Sequence, residues 1–278
     1  MFNDLLQYQF LQNAFIAACF ASILSSIMGV IIIEKKLLMM SGGIAHTALG
    51  GVGLGYLFNF EPLLGACGFS LLSAIGIGAV KQKAKEETDV IIALFWSLGM
   101  ALGVVFIALT PGYPPDLNSY LFGNILTVSK IDLNLMIGVT ILIFAIICIL
   151  FQDLKYWIFD PEFAKISGIK TNFLEYLILI LCALTVVVLI KVVGIILVIA
   201  LLSAPCATAS KLTYRLYKRI ILSVWFALFY CIGGLTISYH FDIPSGATIV
   251  TLSIITYLFV LIATKIYGLK NEHKLFKV

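Results

Sequence analysis

The chain alternates between long apolar runs and short polar segments, and each run is as long as a bilayer-crossing helix, roughly 20 residues. The run at 173–210 has only one strong break, Lys191, so it forms either two spans or one bent or re-entrant element. This pattern predicts an all-α, polytopic transmembrane helix bundle of eight or nine spans. The runs lie near residues 13–33, 38–58, 62–80, 90–110, 131–151, 173–190, 192–210, 219–239 and 245–265.

The composition predicts a single transmembrane domain over residues 1–278. Hydrophobic residues make up 62% of the chain and charged residues only 12%. A soluble domain is usually about 25% charged, so this chain has too few charges to cover a water-exposed surface. The runs do not alternate polar and apolar residues as the strands of a membrane barrel do. The net charge of +4 does not indicate nucleic-acid binding, because the basic residues lie between the runs.

Basic residues are distributed unevenly between the two sets of alternate loops. Of the 18 Lys and Arg residues, all except Lys130 and Lys191 fall in one set. Basic residues are retained on the cytoplasmic side, so this set, which includes the C-terminus, is predicted to be cytoplasmic. With nine spans the N-terminus, which has no Lys or Arg before the first run, is then predicted to be outside.

His46 is the strongest candidate for chemistry within the apolar runs. It lies inside an otherwise apolar span, where an ionisable side chain is costly and often has a function. Imidazole is a common ligand of divalent metals and titrates near neutral pH. The alternative is a core histidine that forms a hydrogen bond with a neighbouring helix.

Glycines in GxxxG spacing predict close helix packing. Gly51 and Gly55 have this spacing, and small residues let helix backbones approach closely in lipid. A second interpretation of the glycine-rich stretch 50–55 is a helix that bends or lines a pathway. The candidate packing or hinge positions are Gly42, Gly51, Gly55 and Pro205.

The predicted outer loops are short and contain few polar side chains. His240 and Asp242 are two residues apart, so an extended loop would place both on one face. Such side chains are either solvated loop residues or parts of a transient cation-binding vestibule. The candidate vestibule residues are Glu61, Asp116, His240 and Asp242.

The longest predicted inner loop, 152–171, contains signals for a helix of about two turns. Asp160 suits the N-cap, Pro161 the first helical position, and Glu162 the positive end of the helix dipole. Gly168 suits the C-cap. A short amphipathic helix of this kind either lies on the membrane surface or docks a partner. Its exposed apolar positions are Phe163 and Ile166.

The sequence contains no recognisable energy source of its own. It has no GxxxxGK[ST] motif and so no P-loop for ATP. The spans lack the ladder of carboxylates that a proton- or sodium-coupled carrier usually needs. His46 also stands alone, without the histidine and carboxylate pair of an intramembrane enzyme. We therefore expect a transport subunit, not an enzyme, whose energy comes from another chain.

Four segments resemble blocks of the metal-type (family-3) permeases of ABC transporters, the membrane subunits of bacterial zinc, manganese and iron importers. Together the segments extend over most of the chain and occur in the family's order. The four segments are 41–56, the glycine-rich segment with its central histidine; 116–126, similar to DLxxYLFGxxL; 160–168, similar to the cytoplasmic coupling segment DPExAxxxG; and 193–205, similar to VGxxLVxALLxxP. A fifth segment, 242–246, matches more weakly.

This resemblance implies a substrate and a set of partners. The substrate would be a divalent metal ion, carried across a bacterial cytoplasmic (inner) membrane by a chain with no permanently bound cofactor. Besides membrane lipid, the partners would be a second permease copy, a cytoplasmic ABC ATPase dimer and an extracytoplasmic metal-binding protein. His46 would be a metal contact or gate. The residues implied to couple to the ATPase are Asp160, Pro161, Glu162, Phe163, Ala164, Ile166 and Gly168.

Two positions depart from the resemblance. Gly42 stands where many members have Asp, one helical turn before the histidine, and Gly50 stands where many have Pro. Without that carboxylate, His46 is either a transit contact or part of a site with a different metal preference. Imidazole suits zinc, iron and other metals, so the choice of metal stays open. The alternative functions are an ABC permease for a metal chelate or vitamin and a secondary cation carrier.

Overall fold

The computed structural model describes residues 7–83, 88–112, 118–195 and 197–275. Within these ranges the chain is all-helical, as predicted, and contains no strand. The helices are α1 (Gln9–Glu34), α2 (Leu38–Leu57), α3 (Pro62–Lys83), α4 (Thr88–Leu109), α5 (Asn118–Phe122), a 3₁₀ helix (Ile125–Thr127), α6 (Lys130–Ile149), α7 (Phe151–Phe159), α8 (Pro161–Ile166), α9 (Thr171–Val193), α10 (Val198–Ser210), α11 (Leu216–Phe241) and α12 (Ser245–Leu275).

Seven helices of the described chain are long and apolar enough to cross a membrane: α1, α3, α4, α6, α9, α11 and α12. The chain is therefore a multi-pass membrane protein, but length and hydropathy do not confirm the predicted eight or nine spans. Helix α2 has 20 residues, and its glycines and His46 lower its hydropathy. Helix α10 has only 13 residues. A count of nine would need both of these helices to cross as well.

The break within the run 173–210 lies at Gly194, and the prediction of a break at Lys191 was wrong. Helix α9 continues through Lys191 to Val193, because lysine interrupts an apolar run without disfavouring a helix. Gly194 then ends the helix with a φ of 82°, a left-handed conformation that glycine adopts without a steric penalty. The run therefore forms two helices, α9 and α10.

Helix α2 packs against both α3 and α4, and glycines bring the three backbones close together. A Cβ atom added to Gly51 would overlap the backbone of Gly65 on α3. One added to Gly53 would lie 2.6 Å from the carbonyl oxygen of Gly103 on α4. Helix α2 continues without interruption through its glycines, so close backbone approach accounts for them without a break in the helix.

Helix ends that carry basic residues meet at one end of the bundle, which we call the basic end. The Lys81 ammonium lies 2.5 Å from a carboxylate oxygen of Glu175 and joins α3 to α9. Arg219 forms an ion pair with Glu34 and joins α11 to α1. Segments that the charge pattern assigns to one side of the membrane are thus neighbours in the fold.

The other end of the bundle, the opposite end, is held together by hydrogen bonds between connecting segments. The Ile195 N–H donates to the carbonyl oxygen of Tyr120 over 2.8 Å. The Ile125 N–H donates to the Ser245 hydroxyl over 3.1 Å. These bonds join the segments that follow α5, α9 and α11.

Candidate functional site

His46 lies on α2 and is only 7% exposed. Its imidazole stacks on the indole of Trp96 from α4, with ring centroids 4.0 Å apart and planes 8° apart. The indole N–H of Trp96 donates in turn to the sulfur of Met100, one turn further along α4, over 3.1 Å. Two adjacent helices therefore fix the plane of the His46 ring.

The imidazole nitrogens of His46 have no hydrogen-bond partner among the residues that the structure describes. Within the described residues the fully buried side-chain polar atoms without a partner are Ser26 Oγ and Ser70 Oγ, so the unpaired His46 nitrogens keep access to the surface. The expected alternative, a core histidine hydrogen-bonded to a neighbouring helix, does not match this arrangement. The ring is oriented by stacking, and its nitrogens are available to a ligand.

Gly42, one turn before His46, packs against α10. A Cβ atom at Gly42 would lie 2.8 Å from the Cδ1 atom of Ile199. An aspartate side chain at this position would therefore require the end of the Ile199 side chain to move. Across the described ranges, no group of three or more His, Cys, Asp and Glu side chains could hold a metal ion. The described surroundings of His46 therefore contain no set of side chains for a tight metal site.

The other positions assigned to packing or hinges are also enclosed. A Cβ atom at Gly55 would lie 2.6 Å from the Cα atom of Pro62, at the start of α3. Pro205 is buried in the interior of α10, where it cannot donate a backbone hydrogen bond. Both residues stay candidates for packing or hinge roles.

Two cavities open at the opposite end of the bundle, and the candidate vestibule residues are divided between them. Asp242 lines a cavity of about 900 Å³, and Glu61 lines a second one of about 590 Å³. Thr127 contributes to both. His240 is exposed and lies edge-on to Tyr239. The fourth candidate, Asp116, lies outside the described residues.

Tyr120 lies in a negative electrostatic environment near the second cavity. Burial raises the pKa of the Tyr120 phenol well above its ordinary value, and the neighbouring Tyr56, Glu61 and Asp132 raise this pKa further. The rings of Tyr56 and Tyr120 meet edge to face, with centroids 6.1 Å apart. The two acidic groups that disfavour phenolate would attract a cation to this end of the bundle. Neither Tyr120 nor Asp132 was among the site residues predicted from the sequence.

At the basic end, the predicted short helix is present as α8. The Asp160 carboxylate accepts the N–H of Phe163 over 2.9 Å and caps the helix, and Pro161 is its first residue. Gly168 has a φ of 82° just beyond its end. Ala164 is buried, whereas Phe163 is 50% exposed and Ile166 is 85% exposed. Glu162 lies in the first turn.

Helix α7, directly before α8, was not foreseen. Leu150 separates α7 from α6. The sequence predicted one apolar span here, followed by a loop. Leu154, Trp157 and Ile158 bury one side of α7, so α7 ties α8 to the bundle. The spacing of these three apolar residues places them on one helical face, so the sequence does contain a signal for α7.

A multi-pass helical bundle with an unpaired imidazole on an inner helix and an exposed apolar helix at its basic end is what the sequence predicted for a membrane transport subunit. The chain belongs to the ABC 3 transport family, whose sequence model matches residues 7–264.

Relatives with similar sequences or solved structures match nearly the whole chain. An uncharacterized membrane protein of Synechocystis is 40% identical, over 91% of this chain and 90% of its own. The manganese transport system membrane protein MntC of Listeria monocytogenes is 34% identical, over 98% of this chain and 97% of its own. The structure of PsaBC from Streptococcus pneumoniae, in complex with Fab, superposes with a TM-score of 0.85 at 34% identity and covers 93% of both chains.

Proposed function

We propose that this chain is the permease subunit of an ABC importer that carries manganese, as the divalent ion, into the cytoplasm. The observation that carries the proposal is the oriented, unpartnered imidazole of His46 inside the bundle. Membership of the ABC 3 transport family supports the transporter class. The likeness to MntC, a manganese transport system membrane protein, supports manganese as the substrate. Zinc and iron are competing substrates in the test below.

The membrane arrangement in this proposal has nine spans, with α2 and α10 crossing beside the seven longer helices. Helix α2 is enclosed by its neighbours, so its lower hydropathy does not face lipid. The basic end would be cytoplasmic, since basic residues are retained there. The C-terminus would then be inside the cell and the N-terminus outside, in the cytoplasmic membrane of a bacterium.

The ATPase would bind at the basic end, on α8. Phe163 and Ile166 offer exposed apolar side chains on a capped, rigid helix, and apolar anchors surrounded by polar groups are typical of protein interfaces. ATP hydrolysis would take place in a separate ATPase dimer. A second copy of the chain would complete the pathway.

The metal would enter from the opposite end, where an extracytoplasmic binding protein would deliver it. Asp242 and Glu61 line the two cavities there, and His240 lies on the adjoining surface. These residues, with Asp116, would form a weak vestibule for cations. The metal ion is a transported substrate that would contact His46 on its way through the bundle.

The test is ATP-dependent uptake by the reconstituted complex. The chain is purified with its ATPase and binding protein, placed in vesicles, and assayed for uptake of Mn²⁺, Zn²⁺ and Fe²⁺. We expect Mn²⁺ uptake that requires the ATPase and falls about tenfold in His46→Ala, which corresponds to the loss of one contact of about 1.4 kcal/mol. Thr251→Ala, on the exposed side of α12, is the control. Uptake by the chain alone, driven by an ion gradient, would show a secondary carrier instead.

A further inference from the structure

The junction between α7 and α8 leaves the backbone carbonyl of Trp157 without its usual donor. In a continuous helix the carbonyl oxygen of Trp157 would accept the N–H of residue 161, but residue 161 is proline and has no N–H. The Asp160 N–H makes the last regular helical bond, to the carbonyl oxygen of Tyr156, and so does not serve Trp157 either. Trp157 is only 4% exposed, so water cannot readily take the place of the missing donor.

Lys35 supplies that donor from another part of the chain. Its ammonium donates to the Trp157 carbonyl oxygen over 3.0 Å. The same ammonium lies 4.1 Å from the centroid of the Trp157 ring, in a cation–π contact. A cation at the C-terminal end of α7 is also favoured by the helix dipole. Lys35 thus holds both the backbone and the side chain of Trp157.

Lys35 is joined directly to the helix that carries His46. It is the C-cap of α1, and the chain reverses at Lys36, which has a φ of 56°. The Leu37 N–H closes this turn on the carbonyl oxygen of Ile32 over 2.8 Å. Helix α2 begins at the next residue and reaches His46 about two turns later. The turn is short and hydrogen-bonded, so displacement of Lys35 displaces the start of α2.

On the other side of this contact, helices α7 and α8 are joined by ring packing and hydrogen bonds at their junction. The rings of Tyr156 and Phe163 lie 5.8 Å apart across the junction. Asp160 donates its N–H to α7 and caps α8 with its carboxylate. A force on the exposed side of α8 therefore reaches Trp157 through bonded and packed groups.

We propose that Lys35 is the positioning residue that links the α7–α8 unit to α2, so that movement of α8 shifts the helix that carries His46. This proposal rests on the proposed function, in which the ATPase docks on α8. The role of Lys35 is to pass a displacement of α8, through Trp157 and the turn between α1 and α2, to His46, which lies about two turns along α2.

The experiment compares Lys35→Met with Lys36→Met in the full complex of permease, ATPase and binding protein. Methionine keeps the length and apolar stem of lysine but cannot donate to Trp157. Lys36 is the matched control, because it is the adjacent basic residue and is exposed. The first measurement is the number of Mn²⁺ ions taken up per ATP hydrolysed. The second is the nucleotide-dependent change in amide hydrogen exchange over residues 38–47.

We expect Lys35→Met to lower the Mn²⁺ uptake per ATP by about fivefold or more while ATP hydrolysis continues. The nucleotide-dependent exchange change over 38–47 should also be lost. Lys36→Met should match the unaltered complex, and Lys35→Arg, which keeps the cation and the donor, should restore both measurements. A loss of transport with unchanged exchange, or equal behaviour of Lys35→Met and Lys36→Met, would overturn the proposal.

Two further outcomes distinguish a failure of this proposal from a failure of the proposed function. If the unaltered complex shows no ATP-dependent metal uptake, the proposed function fails, and the exchange measurement alone decides whether Lys35 links α7 to α2. If Lys35→Met does not assemble, Trp157→Phe takes its place, because it keeps the backbone carbonyl and a weaker aromatic face. An intermediate loss of coupling in Trp157→Phe would support the proposal, and wild-type coupling would contradict it.

Discussion

The imidazole of His46 lies parallel to the indole of Trp96, with 4.0 Å between ring centroids and 8° between ring planes. Parallel stacking covers a face of the imidazole and leaves its edge, which carries both nitrogens, free of described partners. The two residues lie 50 positions apart on adjacent helices. Their contact gives a candidate metal ligand a fixed orientation without using a hydrogen bond.

Replacement of Trp96 by alanine should weaken metal capture at His46. The imidazole would gain rotamer freedom that must be lost again on each metal contact, so the Mn²⁺ concentration for half-maximal uptake should rise about threefold to tenfold. Trp96→Phe keeps a flat ring and should change this half-maximal concentration less. Initial uptake rates over a Mn²⁺ concentration series measure this. Trp225→Ala, on an exposed side of α11, is the control, and equal effects of Trp96→Ala and Trp96→Phe would argue against stacking.

A methyl group at Gly51 should destabilise the bundle, whereas one at Gly138 should not. A Cβ atom at Gly51 overlaps the backbone of Gly65, and one at Gly138 in α6 meets nothing within 4 Å. Overpacking of this kind costs about 1–3 kcal/mol, while glycine to alanine at an open helical site gains about 0.5–1 kcal/mol. Thermal unfolding of the purified variants should show the midpoint falling for Gly51→Ala and rising slightly for Gly138→Ala. Equal midpoints would mean that the α2–α3 contact is looser than described.

Removal of the exposed apolar side chains of α8 should separate ATPase binding from folding. Phe163→Ala with Ile166→Ala should weaken binding of the ATPase at least about tenfold, since interface anchors are often worth about 2 kcal/mol. The unfolding midpoint of the permease alone should change little, because both side chains are exposed. Affinity measured by pull-down titration is the test. Ile149→Ala, at an equally exposed site on α6, should leave the affinity unchanged.

The Arg219–Glu34 pair should show a measurable coupling energy. Both side chains are largely buried, and Arg219 also donates twice to the carbonyl oxygen of Thr213. Arg219→Met alone would leave Glu34 unpaired at a low-dielectric site, which is costly. A double-mutant cycle with Glu34→Gln, followed by thermal unfolding, should give a coupling of about 1–3 kcal/mol. Strict additivity of the two single changes would mean that the pair contributes nothing to the stability of the basic end.

Local signals in the sequence were enough to predict α8, but they did not predict the contacts that connect it to the rest of the bundle. Asp160, Pro161 and Gly168 are capping residues whose effect depends on neighbouring backbone alone, and the helix begins and ends as they predict. The contact of Lys35 with Trp157 joins residues 122 positions apart. The sequence shows only that the proline at position 161 cannot donate to the carbonyl oxygen of Trp157. Nothing in the neighbouring residues indicates which cation takes the place of that donor.

Hydropathy likewise predicted the long apolar helices but misplaced the boundary inside 173–210. A charged residue is conspicuous in an apolar run, yet the helix tolerates it and ends where a glycine takes a left-handed conformation. His46 was identified from its apolar surroundings alone. Its partner Trp96 was not, because a tryptophan in an apolar span resembles any other lipid-facing aromatic until the tertiary packing is known.

The contact between Gly123 and Gly194 has a consequence for how the opposite end can move. Both glycines have positive φ values, and a Cβ atom on either would overlap the backbone of the other. With the adjacent bond from Ile195 to Tyr120, the two turns touch through main-chain atoms and have no side-chain rotamers between them to absorb a shift. Gly123 also lines the larger cavity. The wall of that cavity and the end of α9 are therefore in direct main-chain contact, and a tilt of α9 would be expected to change the shape of the cavity mouth.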